Sequence, residues 1–248
     1  MLPRFYCKEQ ITLNQPFELP DNVRHHAVRV LRLKQGDSLI LFNGQGGEFF
    51  SEIIAINKNT SAIKILQHNQ QECESPLTIE LSQAICSNEK MDWVIQKAVE
   101  MGVTRIQPVT TTRSVIKLSS ERAAKRLQHW QQITIAACEQ CGRNHVPDVL
   151  PPLPLPHWLG EIKNREVSTH TNLLLLPTAE KKLSELVPKS NNSSYTLLIG
   201  PEGGFTPEEE RAALLTHFEP ILVGKRILRT ETAALATIAA MQTLWGDY

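Results

Sequence analysis

The chain has 248 residues, 41% apolar and 21% charged, with 26 basic and 26 acidic side chains and a formal net charge of zero. That length holds one large or two modest domains with a true core, and the composition excludes a disordered chain. No apolar run approaches the roughly 20 residues of a membrane span, the start Met1-Leu-Pro-Arg-Phe-Tyr-Cys7 lacks the layout of a secretory leader, and a zero total speaks against a uniformly basic nucleic-acid binder.

Residues 23–31 carry apolar side chains at helical spacing (Val23, Ala27, Val30, Leu31) and end ahead of Gly36-Asp37. Residues 38–42, 48–56 and 61–67 read as strands, with a hairpin loop at 43–47 and a turn at 57–60. Several short strands and one helix in so short a stretch predict a small closed β-barrel. The polar segment 68–76 ends in proline and marks a boundary, so domains are expected at 1–72 and 73–248. Beyond it the pattern alternates. Residues 77–86, 103–109, 172–176, 195–200 and 220–223 read as strands. Residues 88–101, 119–142, 206–216 and 230–245 read as helices, the second capped by Ser119 or Ser120. The proline-rich segment 147–156 is expected to be a rigid connector. Strands alternating with helices give an α/β domain around a parallel sheet.

The zero charge is a sum of unequal parts. Residues 24–34 hold Arg24, Arg29, Arg32 and Lys34 with His25 and His26, and no acid. Residues 105–145 hold Arg105, Arg113, Lys117, Arg122, Lys125, Arg126 and Arg143 against Glu121 and Glu139 alone. Residues 146–224 run the other way, and Lys225, Arg226 and Arg229 form a third basic group. Any one cluster fits a solvated helix face, but phosphate binding responds to local clusters, and several of them point to a polyanionic partner. The five cysteines are an odd, scattered set without a leader sequence, which reads as reduced thiols in a cytoplasm. Cys138-Glu-Gln-Cys141 lies in a helical stretch with no second ligand pair, so two cysteines on one helix face are expected rather than a metal site.

Three segments follow predicted strands, where open α/β sheets place ligands. They are Leu173-Leu-Leu-Leu-Pro-Thr178, Ile199-Gly-Pro-Glu-Gly-Gly-Phe205 and Leu222-Val-Gly-Lys-Arg-Ile-Leu-Arg-Thr-Glu-Thr232. In the second, Gly200, Gly203 and Gly204 allow close backbone approach, and Thr206-Pro-Glu-Glu209 is a capping box with proline at the first helical position. Glu202 and the acids at 208–210 would repel a phosphate, so the loop suits a neutral or cationic ligand, or one held through ribose, base edge and backbone. A tight turn with a good cap is the plain alternative. In the third, Arg226, Arg229, Thr230 and Glu231 precede a small-residue helix and are too polar for core and too compact for a solvated face. No serine-hydrolase elbow, zinc-protease motif or P-loop occurs.

Pro3-Arg4-Phe5-Tyr6, His25-His26-Ala-Val-Arg29-Val-Leu-Arg32 with Gly36-Asp37, Ala137-Cys-Glu-Gln-Cys-Gly-Arg-Asn144, Ile199-Gly-Pro-Glu-Gly-Gly-Phe205 and Leu228-Arg-Thr-Glu-Thr-Ala233 together resemble the RsmE-type ribosomal RNA methyltransferases of the SPOUT class. The motifs run in order from residue 3 to the C-terminus. One departure is Thr111-Thr112-Arg113-Ser114, where the family pattern has an acidic residue before the arginine. The resemblance implies a PUA-like β-barrel that binds RNA, then an α/β SPOUT domain with a deep trefoil knot, which topology rules alone would reject. It also implies a cytoplasmic homodimer, S-adenosylmethionine (SAM) as methyl donor with no metal, and N3 of one uridine in 16S rRNA as acceptor, within the 30S subunit or its precursor.

On this resemblance the donor is held by Leu175, Leu176 and Pro177, by Ile199, Gly200, Pro201, Gly203 and Gly204, and by Leu222, Gly224, Ile227, Leu228, Thr230 and Ala233. Residue type and loop position then suggest Arg229 as the cation that stabilises a deprotonated uracil, Glu231 as its orienting partner or proton acceptor, and Glu202 as the alternative base. Arg4, Arg24, His25, Arg29, Arg32, Arg113, Lys117, Arg122, Arg126 and Arg143 are the expected RNA contacts, which position the protein rather than specify a base. Other readings are a methyltransferase acting elsewhere on RNA, such as a ribose 2′-OH, or a non-catalytic ribosome-binding factor. The latter would need the basic patches but not three converging loops. A nucleotide-dependent enzyme with a phosphate-binding glycine loop is opposed by Glu202 and the missing lysine.

Overall fold

The computed structural model describes residues 2–114, 119–163, 170–188 and 194–248. The chain divides into two compact units, Met1–Glu74 with Cys138–Val146 and Ser75–Ala137 with Pro147–Tyr248.

The first unit is built on β1 (Arg4–Tyr6), β2 (Pro16–Glu18), α1 (Asp21–Arg24), β3 (Ser38–Phe42), β4 (Glu48–Ile56) and β5 (Ser61–Asn69). The strands lie in the order β1-β3-β4-β5-β2, with β1 parallel to β3 and the other neighbours antiparallel. Alternation along β4 and β5 turns Phe49, Ile53, Ile63 and Ile65 inward, where they meet Phe5, Leu39 and Leu41. Each such side chain contributes roughly 1.5–3 kcal/mol of burial. The expected helix at 23–31 is different in kind. After α1 the chain continues as a π-helical turn, His25–Val30, in which the Leu31 N–H donates to the His26 carbonyl. A π turn takes an extra residue, so the apolar stripe of an α-helix drifts off the core. Val23 and Ala27 stay buried, but Val30 and Leu31 are exposed, and Val28 and Leu33 pack against the core instead.

The second unit runs β6 (Thr78–Ala84), α2 (Asn88–Glu100), β7 (Arg105–Thr110), α3 (Ser120–Cys141), β8 (Asp148–Val149), β9 (Leu153–Pro154), α4 (Leu155–Ile162), β10 (His170–Leu175), β11 (Ser194–Ile199), α5 (Pro207–Leu215), β12 (Phe218–Ile221) and α6 (Thr230–Trp245). The last four residues of α3 belong to the first unit. The sheet order is β12-β10-β11-β6-β7-β8, β9 also pairs with β7, and every pairing is parallel. The segment 147–156 is therefore no mere connector. It adds two short strands to β7 and then starts α4, with a proline in the helix's first turn, where a missing N–H costs nothing.

Near-continuous apolar runs in β6, β7, β10 and β11 suit a sheet covered on both faces. Ala84, Val109, Leu174 and Leu198 share one face with Trp158 and Leu159 of α4 and Ala213 of α5. Register places Leu81, Gln83, Leu173, Leu197 and Ile199 on the other face, and α2 packs with α6, which meets Gln83 there.

Candidate active site

Because β12, β10 and β11 are adjacent and parallel, their C-terminal ends lie side by side at one edge of the sheet. The three segments that follow them enclose a cavity of about 550 Å³. Residues 175–177, Ile199, Gly200, Pro201, Gly203, Gly204, Leu222, Gly224, Ile227, Leu228, Thr230 and Ala233 line it, and so do Arg229 and Glu202. Glu231 stands beside it in the first turn of α6 and is not part of the lining. Phe205, Glu210, Val223 and Arg226 also line the cavity and were not singled out as ligand contacts from the sequence.

Backbone bonds stitch the first and third segments together. Leu176 N–H donates to Ile221 O at 3.1 Å, Leu222 N–H to Lys181 O at 2.8 Å and Leu183 N–H to Leu222 O at 3.0 Å. A buried relay joins the second to the third. The Gln83 amide donates to the Thr230 hydroxyl at 2.9 Å, and that hydroxyl donates to Gly200 O at 2.6 Å. The N-terminus of α6 is thereby tied to the glycine loop. A Cβ at Gly200 would meet the Phe205 ring at 3.0 Å, a tight contact that the ring must yield to, and a side chain at Gly204 would be strained by its φ of +67°.

The 111–114 turn braces the same loop. The Arg113 guanidinium, expected to bind RNA, donates instead to Gly203 O at 2.9 Å and Phe205 O at 3.0 Å. The Thr112 N–H and hydroxyl both donate to Glu209 Oε1, at 2.7 and 3.0 Å, while Glu209 Oε2 accepts from Thr206 N–H at 2.9 Å. A carboxylate at position 112 would face the Glu209 carboxylate, whereas the threonine hydroxyl donates to it. Glu209 is thus a buried brace of α5, not a free anion beside the loop.

Lys90, in the first turn of α2, was not anticipated. Its ammonium lies 3.3 Å from Glu202 Oε1 and 3.5 Å from Glu231 Oε2, and Ser87 N–H donates to Glu202 Oε1 at 3.3 Å. Burial would push the Glu202 carboxyl up, but hydrogen bonds from its own backbone, from Ser87 and from Lys90, with the charge of Lys90, hold it below the ordinary range. Burial would likewise lower the Lys90 ammonium, and its two carboxylate partners hold it above. The strand order supplies the signal that could have found it: β6 neighbours β11, so the helix after β6 opens at the same edge of the sheet.

The expected RNA contacts divide. His25, Arg29 and Arg32 are exposed, and Arg24 pairs with Asp21 at 3.1 Å. On α3, Arg122 is exposed and Arg126 half-buried, while Lys117 lies outside the described residues. Arg4 and Arg143 are corrections. The Arg4 side chain is 6% exposed, pairs with Glu48 and donates to Asn144 Oδ1 at 2.7 Å, and Arg143 is 4% exposed and pairs with Glu74 at 2.6 Å. Both hold the first unit together, and their charges are already matched.

Comparison with known proteins gives one answer along the whole chain. The family described as RNA methyltransferase domain matches residues 73–242, and the RNA methyltransferase PUA domain matches residues 19–66. The ribosomal RNA small subunit methyltransferase E of Buchnera aphidicola from Schizaphis graminum is 39% identical over 99% of this chain and 98% of its own. The protein of that name from Rickettsia conorii is 32% identical over 97% of this chain and 95% of its own. A crystal structure of the Neisseria gonorrhoeae ribosomal RNA small subunit methyltransferase E bound to S-adenosyl methionine is similar over 100% of both chains, at 42% identity and a TM-score of 0.91.

Proposed function

This chain belongs to the ribosomal RNA small subunit methyltransferase E family, and from that premise we propose that it transfers a methyl group from SAM to N3 of one uridine in 16S rRNA. The observation that carries the reading is the convergence of the segments after β10, β11 and β12 on one cavity at the C-terminal edge of the sheet. Its volume falls within the roughly 300–1,000 Å³ of small-molecule sites. Glycine backbone at 200, 203 and 204 and apolar walls at Leu176, Leu222 and Leu228 suit a donor held by backbone and apolar contact, and the charges of the lining are mixed, Glu202 and Glu210 against Arg113, Arg226 and Arg229.

When bound, SAM supplies an activated methyl group on its sulfonium, so no enzyme nucleophile is needed. The chain's own part is to align the two partners, exclude water and remove the N3 proton. Uridine N3 is protonated and neutral at pH 7. Arg229, at the cap of the 16-residue helix α6, stabilises the uracil anion, assisted by the positive end of the helix. Glu231 accepts the proton, with Glu202 as the alternative acceptor. Residues 1–72 serve as the RNA-binding domain and 73–248 as the SPOUT methyltransferase domain with its C-terminal knot. The working form is a cytoplasmic homodimer acting on the 30S subunit or its precursor. No helix among the described residues is long and apolar enough to cross a membrane.

Mass spectrometry of rRNA from a strain lacking the gene tests the function. One N3-methyluridine should vanish from 16S rRNA and return when this chain is supplied. An unchanged nucleoside profile would overturn the proposal. Two variants test its parts. Arg113→Ala removes both side-chain bonds to the glycine loop and should weaken SAM binding about tenfold by calorimetry. Wild-type affinity would mean the loop holds its shape without them. Arg29→Glu combined with Arg32→Glu should weaken 16S rRNA binding by roughly tenfold or more at 0.1 M salt while SAM affinity stays unchanged. Equal loss of both affinities would make these arginines structural.

A further inference from the structure

Beyond the residues assigned above, we infer that Lys90 is a positioning residue of the methyl-transfer site, its ammonium binding the carboxylates of Glu202 and Glu231 together so that Glu231 stays ionised and ready for the uridine N3 proton. The inference rests on the proposed function and deepens it. Its basis is geometric. Lys90 comes from α2, Glu202 from the loop after β11 and Glu231 from the first turn of α6, and both carboxylates lie within 3.5 Å of one nitrogen. The three side chains are 29%, 22% and 21% exposed, so water reaches the cluster and screens it in part.

The surrounding groups leave this role to Lys90. Cys86 contributes no charge, since burial, reinforced by the charge of Glu202, pushes its thiol up to about 12. On α2, Glu89 is exposed, Asp92 is hydrogen-bonded to His129 at 2.7 Å and Lys97 pairs with Glu100 at 2.8 Å. Arg229 lines the cavity two residues before Glu231, where the substrate would engage it. Two carboxylates gathered around one point without a cation repel each other, and the pair then retains a proton to higher pH. Lys90 and the hydrogen bonds around Glu202 hold that carboxyl below its ordinary value. A protonated acceptor takes no proton, so loss of Lys90 should move the acid side of the rate profile upward.

The test is the pH dependence of kcat/KM for methylation of 16S rRNA by the full chain, with SAM affinity measured alongside. Lys90→Met should raise the acid-side midpoint by about one unit or more relative to wild type and lower turnover at pH 6.5 far more than at pH 9. Lys90→Arg should keep the wild-type midpoint. Adding Glu202→Gln to Lys90→Met removes the repelling neighbour and should bring the midpoint back down. Should Lys90→Met fold poorly, Lys90→Gln bears the same expectation. A Lys90→Met or Lys90→Gln profile parallel to wild type, with SAM still bound, would overturn the role, as would a midpoint equally raised in Lys90→Arg. Absence of methyl transfer in the wild-type protein would instead overturn the function itself.

Discussion

Arg229→Ala is expected to cut turnover on the order of 10²-fold while SAM still binds within a few-fold of wild type. The size follows from the role proposed for the arginine. Uracil carries no net charge before reaction and a full negative charge once N3 has lost its proton. A cation at the cap of α6 therefore binds the reacting state more tightly than the ground state, and such an interaction appears in kcat rather than in affinity. The glycine backbone and apolar walls proposed to hold the donor are left intact by Arg229→Ala. Glu231→Gln should produce a loss of similar or greater size, because an amide keeps the shape and cannot accept the proton. Single-turnover methylation together with calorimetry measures both quantities. Near-normal turnover in both variants would sink the assignment of Arg229 and Glu231.

How much of this site was legible in the sequence depended on where each residue's partners lie. The segments after residues 175, 199 and 221 could be read because a ligand loop in a parallel sheet follows its strand directly and carries its own glycines and polar residues. Lys90 could not, because position 90 alone reads as a solvated first turn, and its partners are far away in the chain, at 202 and 231. Arg113 was read as an RNA contact for a related reason: its acceptors are backbone carbonyls, which no side-chain pattern reveals. The helix expected at 23–31 failed differently. Its apolar spacing was real, but a π turn changes the period, so Val30 and Leu31 face outward where an α-helix would have buried them. The strands at 148–149 and 153–154 were hidden by prolines, which are tolerated there because the pieces are short and flank the sheet's edge. Charge was the least legible property. Counting basic residues grouped Arg4 and Arg143 with Arg29 and Arg32, although only the latter two are exposed.

That difference sets the other large expectation. Arg4→Ala should destabilise the first unit by about 3–5 kcal/mol, the usual cost of breaking a buried ion pair. The guanidinium pairs with Glu48, which is itself 15% exposed, and lies 5.1 Å over the Phe42 ring. It also donates to Gly142 O at 3.2 Å, Arg143 O at 3.4 Å and Asn144 Oδ1 at 2.7 Å. The last three acceptors belong to the segment after α3, which joins residues 1–74 in this unit, so Arg4 fastens the segment to β1. Alanine would leave the Glu48 carboxylate without its cation and carbonyls without donors. Arg4→Lys should recover only part of the loss, because one ammonium cannot serve a carboxylate, an amide oxygen and two carbonyls in a planar fork. By contrast, charge reversal at exposed Arg29 and Arg32 should change stability by less than about 0.5 kcal/mol per site. Urea unfolding followed by far-ultraviolet circular dichroism separates the two classes. If Arg4→Ala unfolds at the wild-type urea concentration and loses only rRNA affinity, the buried pairing with Glu48 gives way when RNA binds, and Arg4 returns to the surface on which the sequence placed it.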